Sequence, residues 1–284
     1  MKKHCLDLTV SSVERLSDKH VLLKLTYGEP LPEMCPGQFV EVKIDNSPST
    51  FLRRPISINY VDLCNNQLWL LVAAVGDGTR HLYNIKPGDT LNCLLPLGNG
   101  FSEVGSFHCM PNDVATSATE CEGNACGVAC EKEEHCCQVL LVGGGVGVAP
   151  LLWQGMRLKE QGVEPVFLLG ARSAKDLLEL ELFEKVGRVC VTTEDGSAGE
   201  KGFVTNHTVL QKERFCMIQS CGPKPMMKAV ARYAKEKGIE CEVSLENMMA
   251  CGLGACLCCV EKTTDGNLRV CEDGPVFNIK KLLW

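Results

Sequence analysis

Four cysteines near the C-terminus have the spacing of a metal-cluster site. They are separated by four, two and eleven residues, and they are Cys251, Cys256, Cys259 and Cys271. The first three match a spacing used for [2Fe–2S] clusters, in which two bridged irons need four soft, anionic ligands at one point. The first gap is mostly glycine and alanine, which leaves backbone N–H groups free to face the sulfurs. The alternatives are a zinc knuckle, which more often uses two paired Cys-x2-Cys arms, or a merely cysteine-rich tail.

A second group of residues is typical of a flavin site. The stretch FLRRPISI contains Arg54, Pro55, Ile56 and Ser57. The guanidinium can balance a pyrophosphate, and the serine can hydrogen-bond an isoalloxazine ring. About twenty residues later, a glycine turn with Gly78 and Thr79 precedes a predicted helix and can face phosphate. A solvated arginine and an ordinary tight turn are the alternatives.

A third group indicates a dinucleotide site. A predicted strand runs into a glycine turn and then a helix, and the turn contains Gly143, Gly144, Gly145 and Gly147. The run is not a strict G-x-G-x-x-G fingerprint, so a turn that only needs close packing is the alternative. Cys221 begins a Cys-Gly-Pro run at the end of the last predicted strand, where strands point toward a ligand crevice. It is a candidate catalytic residue beside the nicotinamide, or else a buried structural cysteine.

The elements that position these residues divide the chain into four parts. Residues 1–101 read as short alternating strands with Gly/Pro turns, which predicts a closed Greek-key barrel. Residues 138–240 alternate strand and helix, which predicts a parallel-sheet nucleotide-binding domain. Residues 241–284 form a small cluster module. The fold class is therefore a β barrel plus α/β.

The remaining part, residues 102–137, is a cysteine-rich insertion that fits neither domain. It offers a second metal site drawn from Cys121, Cys126, Cys130 and Cys136. The alternative is a flexible segment that is rich in cysteine because the whole chain is. We favour the flexible segment.

The composition of the chain argues against nucleic acid and membranes as binding partners. The net charge of −6 offers no basic patch for nucleic acid. The most apolar stretch is too short to span a bilayer and is broken by glycines and a proline, so no membrane association is expected. The N-terminus has no apolar run of the kind found in signal peptides, which predicts a cytoplasmic protein.

In combination, RPIS, GGGVGVAP with CGP, and the four-cysteine tail closely resemble the electron-transfer subunits of class B, NAD-dependent dihydroorotate dehydrogenases, in the ferredoxin reductase superfamily. The resemblance implies FAD on the barrel, NAD on the nucleotide domain and a [2Fe–2S] cluster at a contact with a separate catalytic subunit. That FMN-bearing partner oxidises dihydroorotate to orotate in pyrimidine (UMP) biosynthesis. The implied assembly is a heterotetramer with two copies of each subunit.

The resemblance also assigns flavin contacts. They are Arg54–Ser57, Gly78–Thr79, and the strand residues Leu71, Val72 and Ala73. The chain departs from the family pattern at Cys258, where glycine is usual, at Ala73, where arginine is frequent, and in its insertion.

The sequence alone leaves two alternative functions open, and it does not decide between NAD and NADP. An NAD(P)H–ferredoxin or hydrogenase-linked reductase subunit is the nearest alternative function, and a non-catalytic redox or metal sensor is the other. Arg172 and Ser173 could hold a 2′-phosphate, so the choice of NAD over NADP rests on the resemblance.

Overall fold

The computed structural model describes residues 2–45, 47–103 and 138–284. Most of the cysteine-rich insertion, including the candidate second metal site, lies outside these residues. That hypothesis therefore remains a prediction.

The N-terminal part is a closed barrel of six antiparallel strands. They follow the order β1-β2-β5-β4-β3-β6 and are β1 (His4–Arg15), β2 (His20–Thr26), β3 (Phe39–Val42), β4 (Arg54–Asp62), β5 (Gln67–Ala73) and β6 (Thr90–Leu97). Helix α1 (Asp77–Tyr83) follows β5. Alternating residues such as Leu23, Leu25 and Leu70 are fully buried inside the barrel because successive side chains on a strand point to opposite faces. The predicted barrel is confirmed.

The second part is a sheet of parallel strands flanked by helices. Its strands are β7 (Val139–Gly144), β8 (Pro165–Ala171), β9 (Arg188–Thr193), β10 (Glu200–Lys201), β11 (Met217–Cys221) and β12 (Glu240–Ser244). Its helices are α2 (Ala149–Glu160), α3 (Leu180–Val186), α4 (Val209–Lys212) and α5 (Lys224–Lys237). The glycine turn between β7 and α2 is a short 3-10 segment, Gly145–Val148.

The C-terminal part is joined to this sheet. It has a hairpin, β13 (Val260–Thr263) and β14 (Gly266–Arg269), followed by β15 (Val276–Asn278). Strand β15 pairs antiparallel with β12 and completes a seven-stranded sheet in the order β10-β9-β8-β7-β11-β12-β15. The sequence pattern placed these residues in a separate module. The apolar side chains of Val276 and Phe277 are buried, because the pairing of β15 with β12 brings both residues into the apolar core of the sheet.

The barrel and the sheet share a packed interface. Helix α2 lies against β4, and its Trp153 is part of the apolar cluster that fills the barrel. Among the described residues, no helix has both the length and the apolar character needed to cross a membrane.

Candidate functional site

A cleft of about 200 Å³ lies where the three parts of the chain meet. The barrel supplies Pro55, Ile56, Ser57, Leu71, Ala73 and Thr79 to its wall. The sheet supplies Val146 and Ala149, from the start of the glycine turn and of α2. The C-terminal part supplies residues between β12 and the cluster motif. Six residues predicted to contact a flavin therefore share one concave surface, and the glycine turn borders it.

Arg54 and Gly78 lie together beside this wall. A Cβ atom on Gly78 would come within 2.6 Å of the Arg54 Nε, so only glycine lets the guanidinium lie against the start of α1. The Thr79 hydroxyl accepts the N–H groups of Val75 and Gly76, each at 3.0 Å, and so fixes the turn before the helix. The two sequence signals, twenty residues apart, thus form one structural unit.

Val72 is not brought to the cleft. Its side chain is fully buried within the apolar cluster of the barrel. Its neighbours Leu71 and Ala73 point outward, because alternate residues of β5 face opposite sides. The resemblance assigned all three residues to the flavin, but only two present side chains to the cleft.

The glycine turn packs directly on the Cys-Gly-Pro run. A Cβ atom on Gly147 would lie 2.4 Å from the Gly222 Cα, so the two backbones can approach only without side chains. Cys221 is 1% exposed and is not among the residues that line the cleft. Burial raises the pKa of its thiol well above the ordinary value, which keeps it neutral. Its role beside a nicotinamide remains a prediction.

Two polar residues of the cleft belong to none of the sequence motifs described above. Glu246 is open to the cleft, and the surrounding protein raises the pKa of its carboxyl by desolvation. Asn247 also lines the cleft, and its amide donates to the Glu261 carboxylate at 2.9 Å. Lys224, at the start of α5, lies 3.3 Å from the same carboxylate. Their only sequence cue is their place just before the first cluster cysteine.

The four predicted cluster ligands form two pairs in the loop. Cys251 accepts the Leu253 N–H at 3.3 Å. Burial opposes ionisation of Cys251, but hydrogen bonds from Leu253 and Cys256 outweigh it and lower its pKa to about 6. The other pair is linked by the Cys271 N–H, which lies 3.4 Å from the Cys259 sulfur.

Burial and the neighbouring Cys259 raise the pKa of Cys271 to about 12. Its sulfur nevertheless accepts the Gly254 N–H at 3.2 Å, as a cluster-bound sulfur would. Within the described residues, no three His, Cys, Asp or Glu side chains are arranged to hold a single metal ion. Two cysteine pairs fit a group with two irons, and their soft sulfur donors fit iron and sulfide.

The loop conformation explains its small residues. Gly252 and Gly254 have φ values of +65° and +76°, which disfavour other side chains. Cys259 and Cys271 are buried, whereas Cys256 and the extra thiol Cys258 are exposed. Exposed apolar side chains lie on the same segment: Met248 is 82% exposed, Leu257 63% and Leu253 45%.

A buried carboxyl joins this loop to the barrel. Glu41 of β3 is fully buried, and its side chain lies against Gly252, where a Cβ would be 2.7 Å from its Cγ. Neither of its carboxyl oxygens has a hydrogen-bond partner. Burial raises its pKa to about 7, against the opposing effect of Arg53. Nothing in the sequence pattern singled out this residue.

Two family models match the chain. Residues 246–283 match the iron–sulfur cluster binding domain of dihydroorotate dehydrogenase B. Residues 141–232 match the oxidoreductase NAD-binding domain. The first match contains all four cysteines of the loop, and the second contains the glycine turn and Cys221.

Solved structures show the same architecture. A chain of the NADH-dependent reduced ferredoxin-NADP oxidoreductase superposes with a TM-score of 0.78 at 27% identity, covering 98% of this chain and 90% of that one. The FAD/NAD-binding domain of a nitric oxide dioxygenase from Vibrio cholerae matches with a TM-score of 0.63 at 18% identity, over 84% of this chain and 97% of that one. The second likeness shows the fold alone.

Curated relatives are more similar in sequence. Electron transfer subunits of dihydroorotate dehydrogenase B (NAD(+)) are 39% identical in Lysinibacillus sphaericus, with 88% of each chain covered, and 36% identical in Bacillus velezensis, with 97% of each covered. The Listeria monocytogenes subunit is 38% identical over 95% of this chain and 96% of its own. With the shared barrel, sheet and cysteine loop, these matches show that the chain belongs to the family of electron transfer subunits of NAD-dependent dihydroorotate dehydrogenase B.

Proposed function

We propose that this chain passes electrons to NAD⁺ in pyrimidine biosynthesis. The electrons come from a catalytic subunit that oxidises dihydroorotate. One observation carries the proposal: the segment that closes the cleft leads directly into the cysteine loop. Leu245, Glu246, Asn247 and Met249 line the cleft, and Cys251 follows two residues later. A flavin in the cleft and a cluster in the loop would therefore be close neighbours.

The cleft suits the isoalloxazine of FAD. Ser57 offers a hydroxyl beside apolar walls, and Arg54 offers a guanidinium for the pyrophosphate. When bound, FAD exchanges a hydride with a nicotinamide and single electrons with an iron–sulfur centre, which makes it the converter between the two. We assign NAD to the glycine turn containing Gly143, Gly144, Gly145 and Gly147, which borders the same cleft.

The residues around the second strand of the sheet favour NAD over NADP. The Ser173 hydroxyl donates to the Asp176 carboxylate at 2.8 Å. A carboxylate at this position can accept ribose hydroxyls but repels a 2′-phosphate. Ser173, a candidate ligand for the 2′-phosphate, is therefore hydrogen-bonded to the carboxylate of Asp176.

We further propose that the partner is an FMN-bearing catalytic subunit that docks on the cysteine loop, in an assembly with two copies of each chain. An electron donor must approach the cluster closely, and Met248, Leu253 and Leu257 give this loop an exposed apolar surface. The family's catalytic subunit is implied by the name of the relatives. The FMN, the stoichiometry and the cytoplasmic location remain predictions.

The two alternative functions are less well supported. The solved ferredoxin-NADP oxidoreductase chain is 27% identical, whereas relatives named for dihydroorotate dehydrogenase reach 36–39%. A non-catalytic sensor has no need of a cleft that brings barrel, nucleotide turn and cluster loop together.

The test compares the isolated chain with its complex. Alone, the chain should oxidise NADH with a dye acceptor, and Cys259→Ser should keep much of that activity because the flavin and nucleotide sites are untouched. Mixed with the catalytic subunit, Cys259→Ser should fail to link dihydroorotate oxidation to NAD⁺ reduction. Cys64→Ser, at an exposed turn, is the matched control and should behave as the native chain. Conversion of dihydroorotate by the isolated chain, or a full linked rate in Cys259→Ser, would refute the proposal.

A further inference from the structure

A buried polar contact joins the barrel to the sheet outside the cleft. Asn59 on β4 is fully buried, two residues beyond Ser57. Its Nδ2 donates to the carbonyl oxygen of Ala149 at 3.2 Å and to Glu179 Oε2 at 2.8 Å. Ala149 begins α2, and Glu179 immediately precedes α3. One barrel side chain is thus bonded to the start of two helices of the sheet.

The same contact leaves two buried oxygens without partners. They are Asn59 Oδ1 and Glu179 Oε1, the second oxygens of an amide and a carboxyl that are already bonded to each other. An amide oxygen and an ionised carboxylate are both acceptors, so they cannot satisfy one another. A neutral carboxylic acid also donates, and a single proton between these two oxygens would satisfy both.

We propose that Glu179 is protonated in this contact and donates to Asn59 Oδ1, forming an acid–amide pair that positions the sheet against the barrel. Neither residue lines the cleft. Both act through Ala149, which does, so they are positioning residues for hydride transfer between flavin and nicotinamide. That functional consequence rests on the proposed function, whereas the pair itself does not.

The surroundings of Glu179 support a neutral acid. Burial raises its pKa to about 7, although the Asn59 hydrogen bond opposes this. Among charged groups, Glu14 on β1 raises the pKa further, and Lys24 on β2 lowers it. The Glu179 backbone is left-handed, with a φ of +55°, a conformation that few non-glycine residues adopt and that the packed interface must maintain.

The proposed acid–amide pair should weaken as the pH rises. If the contact opens, Glu179 returns toward its ordinary pKa of 4.5, so the closed state is the one that prefers the proton. The stabilisation is complete below that value and is lost as the pH rises through about 7. Between about pH 6 and about pH 8.5, the ratio of closed to open states should fall by roughly tenfold.

Glu179→Gln is the decisive variant, because a glutamine amide accepts from Asn59 Nδ2 and donates to its Oδ1 at every pH. In the native chain, the urea midpoint and the rate of flavin reduction by NADH should both fall between these two pH values. In Glu179→Gln both should fall by clearly less, because groups such as Glu41, with a pKa near 7, still titrate in this range but Glu179 no longer does. Glu181→Gln, an exposed neighbour, should follow the native chain.

Infrared spectroscopy reports the proton directly. The native chain should show a carboxylic acid C=O band at about pH 6 that is lost by about pH 8.5. Glu41, the other buried carboxyl with a pKa near 7, adds a band of its own, so the comparison is made in a Glu41→Gln background. In that background the band should remain, and it should be missing once Glu179→Gln is added. An unchanged band or pH profile in Glu179→Gln would overturn the proposal. So would failure of Glu179→Gln to fold while Glu181→Gln folds, because glutamine preserves both hydrogen bonds.

Discussion

The barrel wall and the cysteine loop present their functional groups in opposite ways. The barrel places Ser57 and Leu71 on hydrogen-bonded strands with buried neighbours, so their directions are fixed by the alternation of the sheet. The loop from Cys251 to Cys259 has no regular structure, and left-handed residues shape it. A rigid wall suits a ligand recognised by shape. A loop suits a group that is bound through covalent sulfur ligands, which supply most of the order themselves.

The difference predicts how each region responds to loss of one residue. A wall that makes many weak contacts should lose affinity gradually. A four-ligand site should fail completely when one ligand is removed. The following predictions test this contrast, from the largest expected effect to the smallest.

Cys256→Ser should abolish the cluster. Serine replaces a soft thiolate by a hard, poorly ionised hydroxyl, which is a poor ligand for iron in such a cluster. Iron and labile sulfide should be lost, together with the visible and EPR signals, while FAD remains bound. The neighbouring exposed thiol makes Cys258→Ser the matched control, which should keep two irons per chain. Unchanged iron content in Cys256→Ser would show that the ligand assignment is wrong. Loss of iron in Cys258→Ser alone would show that Cys258, and not Cys256, is the ligand.

Arg54→Ala should weaken FAD binding without abolishing it. A charge-assisted hydrogen bond contributes roughly 1.5–3 kcal/mol, so flavin affinity should fall by about tenfold or more. The measurement is flavin released on dilution and followed by its fluorescence. Arg157→Ala removes an arginine that pairs with Glu160 on the surface of α2 and should leave flavin retention as it was. Equal retention in both variants would remove Arg54 from the pyrophosphate site.

Asp176→Asn should produce the smallest change, a relaxed preference for NADH over NADPH. The substitution removes one negative charge near the expected 2′-phosphate but preserves an acceptor for the Ser173 hydroxyl. Asp176 is partly exposed, and charge interactions near the surface contribute only about 0.2–1 kcal/mol, so the ratio of kcat/KM values should shift by roughly fivefold at most. Glu194→Gln, on the next loop of the sheet, serves as a charge-matched control. An unaltered ratio in Asp176→Asn would place nucleotide discrimination elsewhere.

Much of the site was readable from local sequence. The cysteine spacing alone predicts the iron–sulfur loop, because ligands within a few residues of one another are brought together by the chain itself. The barrel and the sheet were equally predictable, since strand alternation and strand–helix alternation are local patterns. The motifs predict roles for Arg54 and Gly78 separately, but they do not predict that the two residues touch.

Other features of the site depend on contacts between segments that are distant in the chain. Whether Leu71, Val72 or Ala73 faces the cleft depends on which side of β5 faces the core, and an apolar run does not specify this. Glu246 and Asn247 reach the cleft only because β12 ends there, and β15 joins the sheet only because an open edge is present. Asn59 and Glu179 are 120 residues apart, and their partnership exists only when the barrel and the sheet are packed together. Local sequence predicts the cluster ligands and most of the elements, because these depend on neighbouring residues. The cleft and the buried contact between Asn59 and Glu179 are visible only in the folded chain, because no local pattern specifies which distant surfaces meet.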